Sequence, residues 1–287
     1  MAPLTWFVTG CTSGFGKHIC TELASRGDYV IATARNIERI SSHIRQHQNI
    51  RCLQLDVNVS KDEIANIVQK AIDFFGQIDV LVNNAGYPLV GPFEDIDERL
   101  VHEYMTTAFF GPLNLVNAIL PHFRSRRSGT LLYNSSMYSY VPGAPLATYY
   151  ASAKHALAGF ARTLDLEVSQ FGIKTLIIDS GYFRSKFLQR VNLDELRQTE
   201  IEDYRDWLDT TVTAVTPLVG NEPGDLDKIA KVTVDLVKGE GVAKGRQVPL
   251  RVPLGPDAYQ LIKQEVDLMQ STLTEWETTI NSTAFIA

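Results

Sequence analysis

Thr9-Gly10-Cys11-Thr12-Ser13-Gly14-Phe15-Gly16 follows the apolar run Leu4-Thr5-Trp6-Phe7-Val8 and opens directly into a stretch of helical period over residues 15–25. A strand, a glycine-rich turn and a helix in that order form the N-terminal half of a βαβ unit. Glycine lets the backbone turn tightly and approach a ligand closely, and the free N–H groups of the helix N-terminus then face an anion. The turn therefore reads as a cradle for the pyrophosphate of a dinucleotide, held by Gly10, Thr12, Ser13, Gly14, Phe15 and Gly16. A purely structural turn is the competing reading, and the position between strand and helix argues against it.

Outward from that turn, short apolar runs alternate with longer stretches of helical period. Strands are predicted at 4–9, 29–34, 50–56, 78–83, 130–134, 174–179 and 246–252, and helices at 15–25, 37–45, 62–75, 100–124, 150–171 and 226–237. Runs such as Thr175-Leu176-Ile177-Ile178 suit strands covered on both faces, so the fold class is α/β, a doubly wound parallel sheet with helices on both faces. No low-complexity tract or Gly/Ser linker divides the chain, and residues 1–287 are expected to form one domain. Residues 181–223 show no strand pattern, yet Tyr182, Phe183, Phe187, Tyr204 and Trp207 stand among charges. That pattern predicts helical excursions forming a lid, with a surface insertion packed on its own aromatics as the alternative. In a helix expected at about 256–277, Tyr259, Ile262, Val266, Met269, Leu273 and Trp276 alternate at spacings of three and four, so one stripe packs on the body or on a twin subunit.

Composition narrows the partners. The chain carries 27 Lys+Arg against 33 Asp+Glu, a net charge of -6, which offers no basic footprint for nucleic acid. No apolar run is long enough for a membrane span, and the N-terminus lacks the charged region of a secretory signal. The 3 cysteines, Cys11, Cys20 and Cys52, match neither a disulfide framework nor a zinc site, which fits a reducing compartment and a cytoplasmic location. Asn-x-Ser/Thr triplets at Asn58, Asn134 and Asn281 carry weight only in the secretory pathway. His43 and His47 lie four apart but lack a third ligand, so no metal is expected.

The end of the second predicted strand reads Ala34-Arg35-Asn36, where an acidic residue would bind the ribose of NAD. Without a carboxylate there, the Arg35 guanidinium suits the 2′-phosphate of NADP, so NADP(H) is the expected cofactor; the bland alternative is a solvated surface arginine. Asp56, next to Val57, either accepts from the adenine amino group or caps the following helix. Lys17 is a further candidate for phosphate contact, or simply an exposed lysine.

With three ordered motifs, the chain resembles the short-chain dehydrogenase/reductase family over nearly its whole length. These are the glycine turn, Asn83-Asn84-Ala85-Gly86, and Tyr150-Ala151-Ser152-Ala153-Lys154 preceded by Ser135-Ser136. The resemblance implies a Rossmann-type sheet in the order 3-2-1-4-5-6-7 and a cofactor site. To that site it adds Val57, Asn83, Ala85, Gly86, Tyr150, Lys154, Gly181, Phe183 and Ser185. The C-terminal Leu254-Gly255-Pro256-Asp257-Ala258-Tyr259 is similar to a fungal branch, which implies a ketoreductase of secondary metabolism. The resemblance also implies that Tyr150 protonates a carbonyl oxygen, that Lys154 binds the nicotinamide ribose and that Ser136, with Ser135 as fallback, hydrogen-bonds the substrate. Family members often form homodimers or homotetramers through helices corresponding to 100–124 and 150–171.

Residue chemistry agrees with these roles. Tyr150 and Lys154 share one helix face, so the ammonium is expected to lower the phenol pKa and make it a usable acid near neutrality. Two positions depart from the family. Ala108 stands where the family has a catalytic asparagine that holds a water, and Ser180-Gly181 replaces Pro-Gly. The expected function is NADPH-dependent reduction of a hydrophobic ketone or related carbonyl compound. The alternatives are a non-redox isomerase or cyclase in which Tyr150 still polarises a carbonyl, and a dinucleotide-sensing protein without turnover.

Overall fold

Seven parallel strands form one sheet in the order β3-β2-β1-β4-β5-β6-β7 in the computed structural model, which describes residues 2–197 and 199–285. The strands are β1 (Thr5–Val8), β2 (Tyr29–Ala34), β3 (Ile50–Gln54), β4 (Val80–Asn83), β5 (Gly129–Asn134), β6 (Ile173–Ser180) and β7 (Arg251–Leu254). Between and after them lie α1 (Gly14–Ser25), α2 (Ser42–Arg45), α3 (Lys61–Phe75), α4 (Glu98–Met105), α5 (Gly111–Arg126), α6 (Thr148–Val168), α7 (Leu193–Leu196), α8 (Arg205–Val215), α9 (Leu226–Lys238), α10 (Pro256–Glu275) and α11 (Glu277–Asn281). β1 pairs with both β2 and β4, so the strand order reverses beside it and leaves a crevice beyond the carboxyl ends of the strands.

Alternate strand residues feed two apolar layers. Trp6, Val8, Val30, Val82 and Leu132 pack with Ile19 and Leu23 of α1 and Ile229 and Val234 of α9. Phe7, Ile31, Leu81, Leu131 and Tyr133 pack on the other face with Ile64 and Val68 of α3, Leu115 and Ile119 of α5, and Leu157 of α6. Period-two alternation on a sheet covered on both faces gives this division directly. The first layer is also tied by charge. Lys238 of α9 reaches the buried Asp28 carboxylate at 2.9 Å, and Arg26 bridges Asp235 at 2.6 Å and Glu240 at 2.8 Å.

Several elements differ from the sequence expectation. The last strand begins at Arg251 rather than 246, because Pro249 has no N–H for a ladder and pairing with β6 starts only at the Leu250 carbonyl. The helix expected over 37–45 is a short turn at Ile37–Arg39 followed by α2. The helix expected over 100–124 is interrupted at Thr106–Phe110 by a wide, π-helical turn that separates α4 from α5. Residues 181–223 contain α7, α8 and single helical turns, with residue 198 outside the described set. Both ends of this excursion meet at one point, where Phe183 bridges Gly224 and the Gly224 N–H donates to the Tyr182 carbonyl at 3.0 Å. The expected terminal helix is α10, prolonged by α11.

Candidate active site

The glycine turn is held by close backbone approach. Gly10 has φ +73° and Gly14 φ +54°, left-handed conformations that favour glycine. A Cβ on Gly16 would lie 2.3 Å from the Gly10 carbonyl oxygen, so the third glycine lets α1 start directly beneath the turn. Thr9 fastens the turn to β4: its hydroxyl donates to the Val82 carbonyl at 3.1 Å and accepts the N–H groups of Asn84 and Ala85, both at 2.9 Å. The Asn84 carboxamide donates to the Thr9 carbonyl at 2.7 Å and accepts from Asn134 Nδ2 at 2.8 Å. Lys154 Nζ donates to the Asn134 carbonyl at 2.8 Å. A continuous chain of polar contacts thus joins the lysine on α6 to the glycine turn.

These elements open onto one cavity of about 640 Å³ at the carboxyl ends of the strands. Of the residues singled out from sequence, Gly10, Thr12, Ser13, Gly14, Phe15, Arg35, Asp56, Val57, Ala85, Gly86, Ser136, Tyr150, Lys154, Gly181, Phe183 and Ser185 line it. Gly16 and Asn83 do not. Gly16 packs beneath the turn, and Asn83 is buried at the end of β4 while its neighbour Asn84 faces the cavity, because successive strand residues point to opposite faces. Arg35 is exposed at the mouth, with Asn36 and Arg39 beside it. Asp56 lines the cavity and accepts the Asn58 N–H at 3.0 Å, and it does not cap the following helix, because the N-cap of α3 is Ser60, whose hydroxyl accepts the Glu63 N–H. Lys17 is exposed and outside the lining.

The residues present fit a dinucleotide. Gly14 and Gly86 have open space where a side chain would stand, and both face the cavity. Buried Asn134 Oδ1 and Ser135 Oγ have no hydrogen-bond partner among the described residues although both residues line the cavity, so polar ligand groups have partners waiting there.

At the centre, Tyr150 and Lys154 project from successive turns of α6, with the ammonium 5.8 Å from the phenol ring centroid. Burial pushes the Tyr150 phenol up to about 12, opposed by its hydrogen-bonding neighbour Ser136, and burial pushes Lys154 down to about 8. This corrects the expectation of a lowered phenol pKa, since desolvation outweighs the Ser136 hydrogen bond that opposes it. The phenol stays protonated at neutral pH. Ser136, rather than Ser135, stands beside it. The serine loop is anchored from behind, where Ser139 Oγ donates to Asp179 at 2.6 Å and Asp179 pairs with Arg251 at 2.9 Å.

The departures from the family have defined surroundings. Ala108 lies in the wide turn between α4 and α5 and is buried against Tyr104 and Ala153, its methyl forming part of the cavity wall. Ser180 continues β6 opposite Leu254, and its hydroxyl donates to the Ser135 carbonyl at 3.2 Å. Gly181 N–H donates to Leu254 at 2.9 Å, and a Cβ at Gly181 would lie 2.2 Å from Asp257 Oδ1.

The other half of the cavity is apolar and capped by the 181–223 excursion through residues such as Phe187, Leu188, Val191, Leu196, Val212 and Val219. The Phe187 ring meets Tyr150 edge-on at 5.8 Å. Among the polar groups here are the Tyr138 and Tyr182 hydroxyls, 2.6 Å apart. The excursion also touches the glycine turn, where Arg190 Nη2 donates to Ser13 Oγ at 2.9 Å. Sequence reasoning gave no role in the site to Arg39, Asn134, Tyr138 or Arg190, and it noted Asn134 only as part of an Asn-x-Ser/Thr triplet. Asn84 was within reach, because strand alternation separates it from Asn83.

Comparison with known proteins agrees with this geometry. The family model described as short chain dehydrogenase matches residues 5–196. Oxidoreductase BOA17 of Botryotinia fuckeliana is 29% identical over 272 residues, covering 94% of this chain and 96% of that protein. A 3-ketodihydrosphingosine reductase of Bacteroides thetaiotaomicron is 35% identical over 206 residues, covering 72% and 73%. The crystal structure of a short-chain dehydrogenase from Streptomyces avermitilis superimposes with a TM-score of 0.83 at 30% identity, covering 99% of both chains.

Proposed function

The chain belongs to the short-chain dehydrogenase/reductase family, and from that premise we propose that it is an NADPH-dependent reductase of a hydrophobic ketone or related carbonyl compound. One observation carries the reading: a protonated Tyr150 phenol, flanked by Ser136 and Lys154, stands where the polar and apolar halves of one cavity meet. When bound, the dinucleotide supplies the hydride. Its pyrophosphate would rest on the turn from Gly10 to Gly16, its ribose near Lys154, and its nicotinamide near Gly181, Phe183 and Ser185. Asp56, Val57, Ala85 and Gly86 would line the remaining contacts. Arg35, seconded by Arg39, favours a 2′-phosphate, because no carboxylate ends β2 to repel it.

Ser136 donates a hydrogen bond to the carbonyl oxygen and holds it against the Tyr150 phenol. As negative charge grows on that oxygen, the phenol passes its proton to it. The phenolate left behind is stabilised by the Lys154 ammonium, which in turn is steadied by the Asn134 carbonyl. Side chains from 181–223 exclude water and select an apolar substrate. We assign the whole chain, 1–287, to this one unit, working in the cytoplasm as its three free thiols favour. No helix among the described residues is long and apolar enough to cross a membrane. In secondary metabolism such an enzyme would act as a ketoreductase.

Ala108 supports the second reading, a non-redox isomerase or cyclase, because a methyl can neither donate nor accept in the path by which the proton returns. NADPH consumption with a panel of apolar ketones, measured for the native chain and Tyr150→Phe, separates the two. Reduction by the native chain and its loss in Tyr150→Phe support the reductase. Conversion of a substrate to an isomer without NADPH consumption overturns it.

A further inference from the structure

Tyr138, in the single helical turn Met137–Ser139 beyond β5, and Tyr182, just beyond β6, enter the cavity wall from neighbouring strands. Their rings meet edge-on at 6.3 Å and their hydroxyls lie 2.6 Å apart. Two phenols carry two protons, and the contact between them uses one. Whichever hydroxyl donates, the other keeps a proton for which no acceptor stands among the described residues. The Ala144 amide, which faces the Tyr138 oxygen, is a donor and takes up no proton. Burial holds both phenols above the usual tyrosine range, so both stay protonated at neutral pH. Val90, Val141, Ala144 and Ala147 belong to the same apolar cluster and supply no polar side chain.

The Tyr138 ring also meets Tyr150 edge-on at 6.2 Å, so the pair adjoins the acid of the proposed reduction. Resting on that reductase reading, we propose that the substrate carries a second, uncharged oxygen function within a few carbon atoms of the carbonyl that is reduced, and that the Tyr138–Tyr182 pair donates a hydrogen bond to it. A donor in apolar surroundings costs free energy when it is left unused, so a cavity containing one selects ligands with an acceptor at that place. Asp257 decides the charge of the acceptor. One of its oxygens accepts the Tyr182 N–H at 2.6 Å, and the other, Oδ1, is buried without a hydrogen-bond partner among the described residues. A carboxylate behind the pair repels an anionic oxygen, which leaves a neutral carbonyl, hydroxyl or ether. The cations that the excursion brings to the cavity, Lys186 and Arg190, are exposed, and Arg190 is held at Ser13 beside the glycine turn. Tyr150 and Ser136 thus hold one oxygen of the substrate, the tyrosine pair holds another, and the carbon chain lies along the apolar wall.

Isothermal titration calorimetry of the full chain loaded with NADP⁺ tests the proposal, because no hydride is then available and affinity is read without turnover. The probes are methyl heptyl ketone, the diketones that place a second carbonyl two to five carbons further along the same chain, and the straight-chain keto acids of equal length. The native chain binds at least one diketone about 2- to 10-fold more tightly than methyl heptyl ketone, and the keto acids more weakly than that diketone. Tyr138→Phe with Tyr182→Phe keeps both rings, removes both hydroxyls and reverses the preference, because a carbonyl buried without a partner costs affinity. The ratio of the two affinities cancels any change of the cavity that acts on both probes alike. A native chain that binds methyl heptyl ketone as tightly as every diketone, a double variant that keeps the preference, or tightest binding of a keto acid overturns the proposal. Failure of the reductase reading shows separately, as no NADPH consumption with any probe that binds.

Discussion

Replacing Arg35 with alanine tests the cofactor reading at its most exposed point. Arg35 and Arg39 are the cationic groups at the cavity mouth beyond β2, and no ion pair to a carboxylate is formed by either among the described residues. A charge-assisted hydrogen bond contributes about 1.5–3 kcal/mol when sheltered, and exposure reduces this to about 1–2 kcal/mol. Arg35→Ala is therefore expected to raise the KM for NADPH by about 5- to 30-fold. NADH, which has no 2′-phosphate, is expected to change less than about twofold. Arg39→Ala has the smaller effect of the same sign, and the double variant loses most of the preference. Initial rates with each dinucleotide at saturating ketone measure both constants. Equal rises for NADPH and NADH, or no change in either, would refute the assignment of Arg35 to the phosphate.

Three further outcomes follow from the site. Reduction falls as pH rises through about 8, because Lys154 then loses the charge that stabilises the Tyr150 phenolate; a pH profile with that limb, absent in the residual activity of Lys154→Met, checks the sign. Ala108→Asn raises kcat if the amide restores a path for proton return, with little change in KM, since the position lies in the wall beside Tyr104 rather than in the apolar half. Gly181→Ala lowers thermal stability by about 1–3 kcal/mol, because the new Cβ would meet the Asp257 carboxylate, and thermal denaturation followed by circular dichroism reads the loss.

Local features were legible where the physics is local. The turn at residues 9–16 and the strands on either side carry their own periodicity and their own glycines, so the parallel α/β class and the cradle could be read from them, whereas the strand order came from the family resemblance. The Tyr150 and Lys154 pair was equally readable, since helix geometry alone puts i and i+4 together. Failures came where distant groups decide. Residues 246–250 look like strand by composition, but Pro249 and the late start of pairing with β6 leave them outside it. The break at Thr106–Phe110 has no proline or glycine within it to announce it. The direction of the Tyr150 shift depends on burial by Phe187, Tyr138 and the excursion above them, none of which is a sequence neighbour. Arg190 meets Ser13 across 177 positions, a contact that only the folded chain creates.

The central claim is that Tyr150 delivers a proton to a carbonyl oxygen while hydride comes from NADPH. Deuterium placed at the transferable position of NADPH, with product analysis by mass spectrometry, tests it most directly. The account predicts a product in which the former carbonyl carbon carries the deuterium, formed in step with cofactor oxidation and abolished by Tyr150→Phe. An isomeric product with no label, formed at the same rate when NADPH is left out, would contradict it.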